Sequence, residues 1–343
     1  MTDLTRFHAF ARYMGYRALA AVPTILGLIT LTFVLSHIVP GNPALVIIGP
    51  EVNAQELKIA EAEMGLNKPL YIQYFDYLGN LFHGNLGYSY VLSSPISTAI
   101  LGRFASSIEL AIAAIAVGIP IALFLGIATA KRVNKPFDHA VRVLSLLGIS
   151  MPVFWLGEME ILLFYLYLRI LPASGEINPL LNTPNHITGM FIVDSALTGN
   201  LADLISSLRH IILPALALSI FLIAFMSRIV RSGMLEVLGT DHIRTAAAIG
   251  LPTEVVVYKY ALRNALLPAI TVAAIYTAGL MGGVVLTESV FGWPGVGWLT
   301  YYAIQNLDYP TIMGVVLLSG ILFVVMNFIA DILYAVVDPR VTL

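Results

Sequence analysis

Charge is scarce in this chain. Of its 343 residues only 11% are Asp, Glu, Lys or Arg, against roughly one quarter in a soluble globular domain. A fold dispersed in water needs more polar surface than that, so lipid is read as part of the solvent. Cysteine is missing altogether, which excludes disulfides, thiolate metal sites and cysteine nucleophiles. No stretch supplies the Gly-rich turn followed by Lys and Ser or Thr that cradles nucleotide phosphates. Gly126 to Lys131 comes nearest, but Ala130 stands before the lysine and the stretch closes an apolar run. ATP hydrolysis is not expected here; energy must come from a partner, an ion gradient or passive solute flow. The histidines at 8, 37, 83, 139, 186, 210 and 242 form neither an HExxH motif nor a close ligand cluster. No enzyme activity, metal or cofactor is expected on the chain itself. The formal net charge of -2 says little about partners, since the signs are segregated along the chain; the lack of a basic domain, paired metal ligands or a basic-aromatic stripe argues against nucleic acid.

What the chain has in excess is apolar length, with 58% of its residues hydrophobic. A bilayer core about 30 Å thick needs roughly 20 helical residues to cross it. Six stretches meet that need: Ala18 to Val39, Glu109 to Ala130, Val143 to Leu171, Ile211 to Val230, Leu266 to Leu286 and Ile312 to Val337. Pro23 is expected to bend the first, and Pro152 to tilt or break the long third. The expected fold is an all-α polytopic membrane protein. Residues 1–17 form an N-terminal segment and 18–39 the first span. Residues 40–108 form an external segment with short interfacial helices, including Ala54 to Met64, and 109–343 form a five-helix core. A second external excursion covers about 172–208. Ala18 to Val39 is too long for a signal-peptide core, and the PGNP after it shows no clear cleavage pattern, so a retained helix is expected. Of the 18 Lys and Arg residues, 13 fall on the side that holds both termini and five on the other. The positive-inside rule makes both termini cytoplasmic.

The polar cytoplasmic interval 231–265 is too long for a minimal connection. Thr240 or Asp241 can cap a short helix running through Arg244, Thr245, Ala246, Ala247 and Ala248. Gly250 can stop that helix, and Pro252 suits the first turn of the next. Alanines allow close approach of another backbone, and Arg244 can supply a charged hydrogen bond. A surface helix lying against its own bundle has the same composition, so both readings stand on mechanics alone.

DHIRTAAAIGL and YALRNALLP in this interval resemble the EAA-type loop of ABC importer permeases, in the long form of the B-type permease of the dipeptide, oligopeptide and nickel class. Arg244 replaces the glutamate that opens the generic signature. PGNP at Pro40 to Pro43, MGLNKP at Met64 to Pro69, GNLGYS at Gly84 to Ser89, SIEL at Ser107 to Leu110, MPVFWLG at Met151 to Gly157, LPASG at Leu171 to Gly175, TESVFGWPGVG at Thr287 to Gly297, DYP at Asp308 to Pro310 and DILYAVVDPR at Asp331 to Arg340 extend the likeness along nearly the whole chain. The resemblance implies a type I importer fold in a prokaryotic cell membrane. Its implied partners are a related C-type permease, two ATPase subunits carrying ATP and Mg, and an extracytoplasmic solute-binding protein. ATPase coupling would fall to Asp241, Arg244, Thr245, Ala246, Ala247 and Gly250. Di- or oligopeptides are the expected cargo, with nickel complexes and oligosaccharides as alternatives in the same class. An ion-coupled secondary transporter is the alternative outside it.

Two acidic pairs remain. Glu158 and Glu160 lie inside the third apolar stretch, where an isolated charge is costly, and are candidates for a translocation path. Their spacing separates them by about 200° around a helix, so both cannot face one narrow path. Glu288 and Asp308 flank the last external loop and are candidates for docking the binding protein, against simple solvation. Gly279 and Gly283 form a GxxxG spacing that suits close helix packing, within the chain or between permeases.

Overall fold

The structure is a computed structural model and describes residues 3–38, 53–63, 65–89, 91–181 and 187–337. The PGNP motif, Met64 and the closing Asp338 to Arg340 lie outside the described residues. The described residues are mostly helical. Helix α1 runs Asp3–Ile38, followed by α2 (Ala54–Glu63) and α3 (Leu70–Phe82). A small antiparallel ladder of β1 (Tyr88–Ser89) and β2 (Ser94–Pro95) pairs Tyr88 with Pro95 and Ser89 with Ser94. Next come α4 (Ile96–Ala130), α5 (Pro136–Ser150) and α6 (Val153–Tyr167). The short α7 (Phe191–Leu197) leads to α8 (Leu201–Leu238) and α9 (Asp241–Ala248). The chain closes with α10 (Thr253–Ala265), α11 (Leu267–Met281), α12 (Val285–Val290), α13 (Val296–Gln305) and α14 (Tyr309–Val337).

Among the described residues, α4, α8 and α14 can each cross a membrane by length and composition, and the count rises to five if α5–α6 and α10–α11 each act as one bent span. The first pair bends by 103° where Pro152 follows Met151, and the second by 55° at Leu266. A proline ring cannot continue the helical hydrogen bonding behind it, so the break in the long third stretch is local chemistry. Each pair also contains a π-helical turn, at Ile161–Tyr167 and Val256–Ala261. The long helices overrun the apolar stretches that announced them. Helix α4 begins at Ile96, and α8 begins at Leu201, where the Asn200 side chain accepts the N–H groups of Ala202 and Asp203.

Helices α4 and α8 pack along their length and form the spine. Between lipid-embedded helices the hydrophobic effect supplies little, because lipid tails are as apolar as leucine. Close dispersion contact between small residues does the work instead. Gly118 and Gly126 open the seam: a Cβ at Gly118 would lie 2.8 Å from Leu222, and one at Gly126 would lie 2.6 Å from Val230 and 2.9 Å from the Ser227 carbonyl oxygen. Around the seam, Ala122, Ile127, Leu222, Met226 and Met234 join Ile243 and Ala246 of α9 and Val257 and Ala261 of α10 in one buried cluster. Toward the opposite end, Leu110, Ala114, Ile211, Leu218 and Leu280 gather round Trp293.

The GxxxG pair divides. Gly283 meets the backbone of Gly297, where a Cβ would come within 2.4 Å, while Gly279 has nothing within 4 Å. Overpacking a tight contact costs about 1–3 kcal/mol. We therefore expect G126V to lower the thermal unfolding midpoint of the detergent-purified protein and G279A to leave it in place. Equal midpoints for the two variants would contradict this seam.

A candidate coupling helix and the buried carboxylates

The polar interval 231–265 contains a separate short helix, as expected, and its two faces differ. In α9, Ile243 and Ala246 are buried against the spine, at 4% and 5% exposure. Asp241, Arg244, Thr245 and Ala247 are exposed. Ile249, just past the helix, is 71% exposed, and sequence reading missed it as part of this surface. Thr240 takes the N-cap position, but its hydroxyl donates back to the Val237 carbonyl and does not cap the helix. Asp241 and Arg244 face each other at 3.5 Å with both side chains open to solvent, a pairing that stabilises little and leaves both groups free to exchange partners. Gly250 ends the helix at φ +83°, a conformation that favours glycine.

Ion pairs brace this end of the bundle. Arg231 on α8 donates through Nε and Nη2 to the two oxygens of Asp138 on α5, at 2.7 and 2.8 Å, and the Asn134 N–H adds a third donor at 3.0 Å. Such a fork-to-carboxylate arrangement fixes orientation as well as charge. Lys131, at the end of α4, donates to Glu254 on α10 at 2.9 Å. Only Asp138 had a local signal in the sequence, a carboxylate in the first turn after Pro136; its partner lies far along the chain.

At the Trp293 end the carboxylates face inward. Glu288 is 0% exposed and Asp308 4%, so neither is presented at the surface as a docking group. Glu288 accepts from Ser107 Oγ at 3.0 Å and from the N–H groups of Trp298 and Val284 at 3.0 and 3.2 Å. Burial pushes its carboxyl above the usual carboxylate range, while these donors pull it back. Ser107 Oγ in turn accepts the Val296 N–H, and Trp293 donates its indole N–H to the Ser106 carbonyl. The approach requires a bare position at Gly295, where a Cβ would lie 2.3 Å from Glu288 Oε2. Asp308 accepts the hydroxyls of Ser89 and Thr311 and so ties the β ladder to the start of α14. Glu109 accepts the N–H groups of Phe191 and Ile192 at 3.1 and 2.7 Å and so closes the N-terminus of α7.

The acidic pair of α6 separates by face, as its spacing required. Glu158 is exposed, whereas Glu160 is 8% exposed and neither of its carboxylate oxygens has a hydrogen-bond partner. Glu160 directly precedes the π-helical turn. Among the described residues, no three His, Asp or Glu side chains converge in a way that could hold a metal ion.

This geometry, a helical spine with a short helix seated at one end, meets a family description of matching extent. The family of the binding-protein-dependent transport system inner membrane component matches residues 118–343, and the N-terminal part of such membrane components matches residues 10–111. The chain belongs to this family. It is a transmembrane permease subunit of a binding-protein-dependent ABC importer, a transport subunit and not an enzyme. Among its relatives, a probable D,D-dipeptide transport system permease protein of Escherichia coli (strain K12) is 40% identical over 332 residues, covering 97% of this chain and 98% of the relative. A dipeptide transport system permease protein of Alkalihalophilus pseudofirmus is 40% identical over 332 residues, covering 96% and 98%. A di/tripeptide transport system permease protein of Pseudomonas aeruginosa is 40% identical over 325 residues, covering 93% and 95%.

In this importer permease the Glu288 network joins α4, α12 and α13. Leaving its buried donors without a charged acceptor costs about 1–3 kcal/mol. E288Q should lower the unfolding midpoint of the purified protein, with S107A producing a loss in the same direction. An unchanged midpoint in E288Q would contradict a structural role for this carboxylate.

Proposed function

We propose that this chain is the B-type half of a heterodimeric translocation path that imports di- or oligopeptides across a prokaryotic cell membrane. The bent pairs α5–α6 and α10–α11 each count as one span in this reading, and α1, with its apolar stretch Leu19–Val34, supplies the sixth. Both termini are cytoplasmic, and a related C-type permease completes the type I importer path. Two ATPase subunits bind ATP and Mg, and a solute-binding protein delivers cargo from outside. The peptide cargo is supported by the dipeptide, D,D-dipeptide and di/tripeptide names of relatives that align along nearly their full length.

The observation that carries the mechanism is the two-faced α9. Ile243 and Ala246 bind it to the α4–α8 spine, while Asp241, Arg244, Thr245 and Ala247 point away from the chain. In this reading the outward face enters a groove on one ATPase. Closure of the ATPases on ATP then pushes α9, and the buried cluster passes that displacement into α8, α4 and α10. Ala246 acts by seating the helix, Ala247 by admitting the ATPase surface and Gly250 by setting the exit. In proteoliposomes holding the assembled importer, A247W should reduce uptake and binding-protein-stimulated ATPase activity at least tenfold with normal membrane insertion. Wild-type uptake in A247W would overturn the coupling role. Release of nickel complexes or oligosaccharides from the purified binding protein would replace the peptide assignment without touching α9. Uptake by the isolated chain on an ion gradient would overturn the importer mechanism itself.

Glu160 is the path group of choice, since an unpartnered buried carboxylate in a spanning segment needs a polar neighbour or a proton. E160Q is expected to reduce peptide uptake at least fivefold while E158Q has less effect. Unimpaired uptake in both variants would remove the path role.

A further inference from the structure

One set of buried polar atoms belongs neither to the coupling helix nor to the Glu288 network. A cavity of about 480 Å³ opens beside the first turns of α4, with Thr98, Arg103 and Ser106 on one wall and Glu176, Gly189 and Pro294 around it. That volume falls within the range of small-ligand pockets. Glu176 is 6% exposed and bonds to the Ser106 side chain, yet its Oε1 is buried without a hydrogen-bond partner. Arg103 lies with its guanidinium 4.8 Å over the Trp298 ring, and its buried Nε–H also lacks an acceptor. Two residues of the lining thus each keep one buried polar atom without a partner, an acceptor on Glu176 and a donor on Arg103, which do not satisfy each other.

The surrounding charges favour a cation at Glu176. Glu109 and Glu288 are its acidic neighbours, but their oxygens are engaged by Phe191 and Ile192 and by Ser107, Val284 and Trp298. Burial, reinforced by those two carboxylates, pushes the Glu176 carboxyl up to about 7, the condition of a group lacking a positive partner. Arg103, the cation in the same lining, carries a buried N–H that lacks an oxygen partner. Arg103 and Ser106 stand at i and i+3 on α4, about 5–6 Å apart at Cβ. The main chain of two extended residues spans up to about 7 Å.

We propose that this cavity is a peptide subsite on the permease, in which Glu176 accepts from the free ammonium of a short peptide and Arg103 Nε donates to an oxygen of its main chain. The inference rests on the peptide-import reading given above and adds a place on this chain where the peptide stops. Ser106 holds Glu176 in position, and the Trp298 face holds Arg103.

The test uses the assembled importer in nanodiscs, with and without its binding protein, and the photoreactive dipeptide alanyl-photoleucine. After irradiation, mass spectrometry should find the label between residues 98 and 106 or beside Glu176. Labelling should fall at least fivefold in E176Q, in R103Q, and when the N-acetylated dipeptide replaces the free amine. Labelling elsewhere, or equal labelling in wild type, E176Q and R103Q, would show that the cavity holds water only and overturn the subsite. Parallel dialanine uptake separates the two claims. Uptake by the wild type with no label in the cavity sinks the subsite alone, whereas no peptide uptake sinks the peptide reading and the subsite with it. Thermal unfolding of E176Q and R103Q guards against loss of the fold, since a fall in label counts only for a variant that unfolds like wild type.

Discussion

The architecture depends on the close contact between α4 and α8, where Gly118 and Gly126 leave room for Leu222 and Val230. In lipid this seam has no hydrophobic force pulling it together, so its strength lies in fit. A protein held by fit moves as a body when one end is pushed, because a packed contact has few neighbouring arrangements of similar energy. That property suits the proposed role of carrying displacement between the two ends of the bundle. The Asp138–Arg231 fork adds direction at one end by tying α5 to α8 through two short charged hydrogen bonds.

The seam also links two unlike regions of the structure. At one end its buried cluster takes in Ile243 and Ala246, so α9 is rooted in the same packing that holds the spine. At the other end α4 carries Ser106, Ser107 and Glu109, which hold the Trp293 indole, the Glu288 carboxylate and the start of α7. A force applied to the outward face of α9 therefore has a continuous packed route to the polar cavity beside Arg103 and Glu176. Selection of cargo and delivery of energy are, on this account, placed at opposite ends of one rigid pair of helices.

Much of this was legible in the sequence, and the parts that were not share a cause. The apolar runs located the helices, Pro152 located the break between α5 and α6, and Gly250 with Pro252 bounded α9, because these signals act within a few residues. Helix α4 begins at Ile96 and not at Glu109 because its polar Ser106, Ser107 and Glu109 are buried by partners some 80 to 190 positions away. The same distance hid the roles of Glu288 and Asp308, which looked like surface charges beside a loop and are internal anchors. Ala246 and Ala247 could not be told apart, since alanine carries no polarity contrast to reveal which face it occupies; only the packing of Ile243 against the spine separates them. The 103° bend had a visible site but no visible angle, as angle is set by what the two arms pack against.

The absence of native cysteine makes the decisive measurement clean. Single substitutions R244C, A247C and I249C on the outward face, and I243C and A246C on the seated face, can be tested for disulfide cross-linking to cysteines in the ATPase groove of the active importer. The account predicts cross-links from the outward set alone, with yields that change when ATP binds. No cross-link from that set, or equal yields from the seated positions, would contradict the claim that α9 transmits ATPase motion into the α4–α8 spine.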